Sequence, residues 1–514
     1  MKEHALSFPS NVRELVELSL EDRGDQPCIL WRDSEVTYRE LNDRVNRVAN
    51  GLKSIGVKQG DVVSVYLPNC PDYYYAWFGI IKLGAVFGPI NALFKGDEVR
   101  HVLSDSGAVA VITSAVMVDT IKAAKPSCPA LQHVICLEGT TNGASAFADL
   151  FKHSAELAPV DVARDDLAEI VYTSGTTGRP KGAMLTHWNC ISNAAAVADL
   201  TPLHQGEGRL GLIMPLFHVN AQGNSLVQFL TGGCVAMWER FSPSDFWETV
   251  DRYKPKSFSS VPTMLSILLS TPVRKGLDIS SLDFVGCGAA PLPLEIIQRF
   301  ERDFGLRILE GYGLTEGTCV SSLNPYWSPR KVGSIGLPIR GQAMRIFDDN
   351  GNEPPAGKLG EIVIKGPNVM KGYYNNPHAT AETIVDGWLH TGDVGYVDDE
   401  GYFFIVDRKK DMIIRGGENI YPREIEEVLF THPQIAEASV VGRKDIVWGE
   451  EVVAVIVAEP DASLTVEDVI SFCAQHLADF KLPREVVFLQ ELPKTPTGKV
   501  QKKALKDQLF GPAS

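Results

Sequence analysis

Thr173-Ser174-Gly175-Thr176-Thr177-Gly178-Arg179-Pro180-Lys181-Gly182 is the stretch from which the rest of the chain can be read. Before it, Leu167 to Tyr172 is an apolar run that predicts a strand. After it, Thr186 stands as an N-cap for a helix running through Asn189 to about Leu200. Three glycines let the backbone turn tightly and bare its N–H groups, four hydroxyls add donors, and Lys181 adds a positive charge. That collection suits a polyphosphate. An ordinary Ser/Thr/Gly surface loop seldom carries so many donors with Pro-Lys directly behind a buried-type strand. The spacing is not that of a Walker A loop, because Lys181 falls three positions after Gly178 and is followed by Gly182 instead of Ser or Thr.

Outward from the loop, helical patterns alternate with short β-branched runs through the first four-fifths of the chain. Tyr38 to Ile55 predicts an amphipathic helix, with Leu41, Val45, Val48, Ala49 and Leu52 on one face. Short apolar runs follow at Val109–Thr113, Val134–Leu137, Leu210–Met214, Ser257–Val261 and Phe284–Gly286, with helical segments such as Pro243–Tyr253 and Pro293–Phe304 between several of them. This alternation predicts an α/β fold of layered, largely parallel sheets. From Met344 to Val406 short strands and Gly/Asp turns predict a smaller β-rich unit. The charged stretch Asp407 to Asp411 then leads to a small α+β region, with helices at Pro422–Phe430 and Val466–His476 and strands at Ala438–Gly442 and Val452–Ala458. The expected division is a large domain over 1–407, a hinge at 408–411 and a small domain over 412–514.

Composition narrows the function classes. Lys plus Arg number 49 against 64 Asp plus Glu, a net charge of −15, which argues against nucleic acid or an anionic membrane as the main partner. Nine scattered cysteines without a C-x-x-C pair read as reduced, mostly buried thiols. Cys287, in a Gly-rich stretch, is expected to pack in the core or line a pocket. Ala76 to Phe94 is interrupted by Lys82, Gly84, Gly88 and Pro89 and reads as a buried helix followed by a strand or loop, not as a membrane span. The expected location is the cytoplasm, as monomer or homodimer.

Further motifs carry a resemblance. The loop, then Glu310-Gly311-Tyr312-Gly313-Leu314-Thr315-Glu316, then Gly387-Trp388-Leu389-His390-Thr391-Gly392-Asp393, resemble the adenylate-forming superfamily. Asp407-Arg408, Gly416-Gly417-Glu418-Asn419 and Pro496-Thr497-Gly498-Lys499 extend the match, which runs from about Tyr38 to Lys503 with motifs in the expected order. The resemblance implies an AMP-forming acyl-CoA synthetase that uses ATP, Mg²⁺ and coenzyme A on a carboxylic acid. It implies an ATP site built from Thr173 to Gly178, Lys181, Gly288, Ala289, Ala290, Glu310, Gly311, Tyr312, Gly313, Thr315, Asp393 and Arg408. Glu316 and Thr176 would hold Mg²⁺, a hard cation suited to oxygen ligands. Tyr312 would offer a face to adenine, and Asp393 would take the ribose hydroxyls with Arg408 as its partner. Taken singly, Asp393 could equally cap a turn and Arg408 sit in a surface ion pair.

Lys499 is the catalytic expectation, with Thr315, Glu316 and His218. By resemblance its compact ammonium contacts both the substrate carboxylate and the α-phosphate and so offsets their repulsion; Lys494, Lys502 and Lys503 have no comparable claim. The small domain would rotate about Lys410 between two half-reactions and bring Gly416, Gly417 and Glu418 to the site. Trp448 and Phe480 look like contacts for the CoA nucleotide, though core packing accounts for them as well. Leu482 stands where some relatives have arginine.

For the acid itself, His218 occupies the place where peptide-synthetase domains carry an Asp for the amino group, so an amino acid is not expected. Some long-chain synthetases have a tryptophan gate where this chain has Gln222. His218, Val219, Asn220, Gln222, Gly286 and Gly288 are the expected acyl-binding residues, with Asn224 adding a further amide. They favour a short, medium or polar acid, with aryl acids and long-chain fatty acids as alternatives. A luciferase-like oxidase or a carrier-protein acylating enzyme would share the adenylation motifs without using CoA. A non-catalytic relative would be expected to lose Lys499 or Glu316, and both are present.

Overall fold

The computed structural model describes residues 8–141, 143–158, 160–173, 179–202, 208–460, 462–495 and 499–511. Helix α1 (Tyr38–Ser54) begins where Thr37 and Glu40 exchange hydrogen bonds in a capping box: Thr37 Oγ1 accepts from Glu40 N at 3.2 Å and Glu40 Oε2 from Thr37 N at 2.9 Å. Its face of Leu41, Val45, Val48, Ala49 and Leu52 is buried, as the periodicity requires. Strand β1 (Val62–Tyr66) leads to α2 (Pro71–Lys82), which packs on α1 so closely that a methyl group on Gly79 would lie 2.5 Å from Val48 Cγ1. The helix buries Tyr73, Tyr74, Trp77 and Phe78 almost completely, each side chain stabilising the fold by roughly 1.5–3 kcal/mol. Lys82 is buried beside them, in an ion pair with Glu17. Among the described residues no helix is long and apolar enough to cross a membrane.

Strand β2 (Val86–Pro89), helix α3 (Gly96–Ser106), strand β3 (Ala110–Thr113) and strand β4 (Leu167–Thr173) complete the middle of an eight-stranded sheet in which β4, β2, β1 and β3 run parallel. The chain does not pass from the loop straight toward a helix, as its sequence suggests. Lys181–Thr186 is strand β5, antiparallel to β4 with Thr173 opposite Lys181 and Tyr172 opposite Gly182. Strands β4 and β5 therefore form the two arms of a hairpin. Ala183 and Leu185 are fully buried and Met184 partly so, so the strand lacks the polar alternation that would have marked it. Thr186 ends β5 and caps α4 (His187–Leu200) through a capping box with Asn189, as expected.

A second, nine-stranded sheet holds the parallel strands β6 (Arg209–Leu212), β7 (Cys234–Met237), β8 (Ser257–Ser260), β9 (Phe284–Cys287) and β10 (Arg307–Tyr312) in the order β10-β9-β8-β6-β7. Helices α5 (Val219–Thr231), between β6 and β7, and α6 (Pro262–Leu269), after β8, cover its strands. Strand β11 (Gly372–Tyr373) returns to the first sheet and pairs with β5. The β-rich unit is an antiparallel sheet in which β12 (Trp388–Val397) pairs with β13 (Phe403–Arg408), and this register sets Asp393 opposite Arg408. Beyond the turn at 409–412, α7 (Pro422–Phe430), β14 (Ile435–Asp445), β15 (Gly449–Ala458) and α8 (Lys502–Phe510) form the small α+β unit, with a core around Ile413, Ile425, Leu429, Val440 and Val452. All nine cysteines are free thiols, eight of them buried and Cys70 partly so.

Candidate active site

Strands β2 and β4 of the first sheet and β8, β9 and β10 of the second deliver residues to one cavity of about 1970 Å³, at the strand ends where open α/β sheets bind ligands. Thr173 and Lys181 line it from the two arms of the hairpin. Ser174, Gly175, Thr176, Thr177 and Gly178 lie outside the described residues. The base of the hairpin is held from α3: His101 Nε2 lies 2.8 Å from the Pro180 carbonyl oxygen, and Tyr172 OH donates to Asp105 Oδ2 at 2.6 Å.

Gly286, Cys287, Gly288, Ala289 and Ala290 form the opposite wall at the end of β9. The backbones of β9 and β10 approach so closely that a methyl group on Gly288 would sit 2.8 Å from the Gly311 carbonyl oxygen. Ala289 adopts φ +67°, a left-handed conformation that a non-glycine residue takes only at a cost. Gly313 is more tightly constrained, since its added Cβ would lie 1.5 Å from the Cys319 carbonyl oxygen. Glu310 and Gly311 line the cavity, but the Glu310 carboxylate is engaged at 2.9 Å by the Gly333 N–H. Burial pushes its pKa up to about 7.

After β10 the chain makes a short turn of helix, Thr315–Gly317, that sets Thr315 and Glu316 on the cavity wall. Glu316 Oε1 accepts from Tyr373 OH at 2.7 Å, while Oε2 has no hydrogen-bond partner among the described residues. The described residues contain no cluster of three His, Cys, Asp or Glu side chains able to hold a metal. One carboxylate with a spare oxygen fits Mg²⁺ that arrives on phosphates, because this ion keeps most of its ligands from substrate and water.

Asp393 is 4% exposed and forms the next corner. Tyr312 OH donates to its Oδ2 at 2.6 Å, and Arg408 Nε lies 3.0 Å from its Oδ1. Burial, and then the neighbouring Asp393 charge, hold the Tyr312 phenol well above its usual pKa, so it stays a donor. A carboxylate offers about four lone-pair positions, so each oxygen keeps room for one ligand hydroxyl.

Lys499 enters the same cavity from the small unit. Its backbone is braced by Thr495, whose N–H donates to the Lys499 carbonyl oxygen at 2.7 Å and whose Oγ1 accepts from Lys499 N at 3.1 Å. Lys494 pairs with Glu437 at 2.6 Å and Lys502 with Glu426 at 2.9 Å, whereas Lys499 has no ion-pair partner among the described residues. Burial pushes its ammonium down to about pKa 8, the Arg408 charge adding to the effect. Burial, and then Lys499, push His218 down to about 4, so the imidazole is neutral; its Nδ1 accepts from Asn220 N at 3.3 Å as the cap of α5. A sign follows for activity. Lys499 carries its charge below about pH 8, so kcat/KM for the adenylation that the sequence motifs imply is expected to fall as pH rises through that value. Bound anions restore the charge, so the limb in kcat should lie at higher pH, and both limbs should vanish in Lys499→Ala. Initial rates of pyrophosphate release between pH 6.5 and 9.5, taken at limiting and saturating ATP, check this.

The arm of the cavity where the acyl group is expected runs along α5 and α6. His218, Val219, Asn220 and Asn224 line it with Ser259, Thr263, Ser266 and Ile267. Gln222 does not: it is 1% exposed and its Nε2 donates to the Leu216 carbonyl oxygen at 3.0 Å. The helical turn explains the correction, since Asn220 and Asn224 share a face from which Gln222 is rotated by roughly 160–200°. Ser259 and Tyr373 were missed in the sequence: Ser259 is one of three serines in the four-residue strand β8, and Tyr373 sits in a strand of two residues, so nothing local singles out either.

The expected CoA contacts are not brought to this cavity. Gly416 and Gly417 make a left-handed turn at φ +60° and +90°, and Gly416 N donates to the Trp448 carbonyl oxygen at 2.8 Å. Trp448 is half exposed under the Arg415 guanidinium, 4.4 Å from its ring centroid; Glu418 is exposed, and Phe480 packs at the edge of the small core. Lys410 lines the cavity beside Arg408. The small unit thus presents Lys499 to the cavity and keeps its glycine turn outside.

The profile of the AMP-binding enzyme family matches residues 16–374, and that of the AMP-binding enzyme C-terminal domain matches residues 424–499. A feruloyl-CoA synthase of Amycolatopsis sp. is 39% identical over 473 residues, covering 91% of this chain and 92% of that protein. A long-chain-fatty-acid–CoA ligase of Bacillus subtilis (strain 168) is 34% identical over 98% of this chain and 96% of its own length. Among solved structures, an anthranilate CoA ligase in complex with anthranoyl-AMP superimposes with a TM-score of 0.91 at 28% identity, covering 99% of both chains. ATP-bound MatB from Rhodopseudomonas palustris gives 0.91 at 31% identity over 97% of this chain and 98% of that one.

Proposed function

The chain belongs to the AMP-binding enzyme family, as an AMP-forming acyl-CoA synthetase that uses ATP, Mg²⁺ and CoA, and we propose that its acid carries a polar group remote from the carboxylate, as a hydroxylated aryl acid does. The observation that supports this substrate class is the fixed amide in the acyl arm. Ser259 Oγ donates to Asn220 Oδ1 at 2.9 Å, and Asn224 Nδ2 lies 3.4 Å from the same oxygen. The amide oxygen of Asn220 is thereby committed, and its Nδ2 has no protein partner among the described residues. A substrate hydroxyl or ether oxygen would satisfy that donor; an alkyl chain would leave it desolvated and unpaired, which costs about 1–3 kcal/mol. The feruloyl-CoA synthase relative points the same way.

The residue roles that follow need no side-chain nucleophile. Asp393 holds the ribose, Thr315 donates to the α-phosphate, and Glu316 with the loop's Lys181 steadies the outer phosphates with their Mg²⁺, which neutralises charge. The substrate carboxylate attacks the α-phosphorus and pyrophosphate leaves, with Lys499 stabilising the charge that gathers between the two anions. Release of pyrophosphate and a turn of the small domain about Lys410 would withdraw Lys499 and bring Gly416 to Glu418 in its place. The CoA thiol then attacks the acyl carbon and AMP leaves.

Pyrophosphate release across short, medium, long-chain and hydroxylated aryl acids, with and without CoA, tests this. Hydroxylated aryl acids should exceed saturated long-chain acids in kcat/KM by roughly 100-fold, and Ser259→Ala should erase about tenfold of that margin. A saturated long-chain acid as best substrate would sink the proposal.

A further inference from the structure

One buried side chain joins the loop lysine to the metal carboxylate, and neither the mechanism nor the motifs account for it. Tyr373 is 6% exposed on β11, where it pairs with Ala183 of β5 and so rides on the outgoing arm of the phosphate hairpin. Its N–H donates to Thr380 Oγ1 at 2.8 Å, and the flanking Lys371 and Tyr374 N–H groups donate to the Met184 and Gly182 carbonyl oxygens at 2.9 and 2.7 Å. The ring is therefore held rigidly against the hairpin. Lys181 Nζ lies 4.8 Å from the ring centroid, within cation–π range. The phenol donates to Glu316 Oε1 at 2.7 Å, and Met370 N donates to the Glu316 carbonyl oxygen at 2.8 Å, so the segment 370–373 grips both backbone and side chain of Glu316.

We infer that Tyr373 is the positioning residue that couples Lys181 to Glu316, pinning one carboxylate oxygen so that the other is aimed at the Mg²⁺ of the bound nucleotide. This rests on the reading of Glu316 as the Mg²⁺ ligand. A carboxylate free to rotate could turn either oxygen to its neighbours. With Oε1 occupied by a neutral phenol, the negative charge is kept and only Oε2 remains for the cation. The face of the same ring seats the Lys181 ammonium, which ties the loop's position to that of the metal.

The test separates the two contacts of the ring. Binding of α,β-methylene-ATP, which resists cleavage at the reacting bond, is measured by calorimetry while Mg²⁺ is titrated, for wild type, Tyr373→Phe, Tyr373→Leu and Glu316→Gln. Tyr373→Phe keeps the ring and loses the phenol, so the Mg²⁺ concentration for half-maximal enhancement should rise roughly five- to tenfold, with nucleotide affinity in EDTA unchanged. Tyr373→Leu should show that shift and also weaken binding in EDTA by about threefold or more, because Lys181 loses its seat. In the Glu316→Gln background, Tyr373→Phe should add nothing. An unchanged Mg²⁺ midpoint in Tyr373→Phe, with Glu316→Gln shifted, overturns the role of Tyr373 alone. An unchanged midpoint in Glu316→Gln overturns the metal role of Glu316 and the coupling with it.

Discussion

Lys499→Ala is expected to slow pyrophosphate release by roughly 100- to 1000-fold while CoA transfer from a supplied acyl adenylate stays within about threefold of wild type. The size follows from the position of the ammonium. It enters a cavity shared with Arg408, Lys410 and His218, has no ion-pair partner among the described residues, and is held below its ordinary pKa by burial. A cation kept desolvated and unpaired is costly, and two anionic ligands relieve that cost together when they meet it. The largest relief comes where charge concentrates between carboxylate and α-phosphate, so the loss should appear in kcat as well as kcat/KM. Lys499→Arg should recover little, because a planar fork does not replace a point charge between two anions. The two half-reactions are measured separately, by pyrophosphate release without CoA and by thioester formation from synthetic acyl adenylate. Equal loss in both would show that Lys499 supports the fold or CoA binding instead of adenylation.

Asp393→Asn is expected to raise KM for ATP by roughly 100-fold or more. Two charge-assisted hydrogen bonds to hydroxyls are each worth about 1.5–3 kcal/mol, and the neutral amide makes at most one of them well. The amide also turns a donor toward either Tyr312 OH or Arg408 Nε, which now stand 2.6 and 3.0 Å from the carboxylate. Arg408 is left with an uncompensated charge on a side chain 35% exposed, so solvent screening keeps the stability loss smaller than for a fully buried pair. The ribose role has its own readout. Wild type should discriminate against 3′-deoxy-ATP by about tenfold, and Asp393→Asn should discriminate far less. If the variant kept the full discrimination, the carboxylate would be serving Tyr312 and Arg408 only.

Local chemistry explains which features were legible. Thr186 with Asn189, and the spaced apolar residues from Leu41 to Leu52, need only neighbours in sequence, so cap and helix face could be read directly. Strand β5 could not. Its small and apolar residues are buried on both faces and leave no alternation, and its partner lies across a loop whose glycines hide the reversal. Gln222 went wrong for a related reason: position in a motif does not say which face of α5 meets the cavity, and its amide turned to the Leu216 carbonyl instead. Tyr373 was invisible because its meaning lies in Glu316 and Lys181, far from it in sequence.

By itself the sequence determined the donors: a hydroxyl- and glycine-rich loop, the acids Glu316 and Asp393, and Lys499 near the far end of the chain, in the order that marks an adenylate-forming enzyme. These are properties of residue type and spacing. The tertiary structure decided which of them meet. The β12–β13 register set Asp393 against Arg408, the closure of the small unit placed Lys499 in the cavity while Gly416 and Trp448 stayed outside, and β11 slid Tyr373 between Lys181 and Glu316. The physical reason is the range of the interactions. Caps, turns and helix faces are settled within a few residues, whereas a cavity is made by strand pairing and burial between segments that chain order leaves far apart.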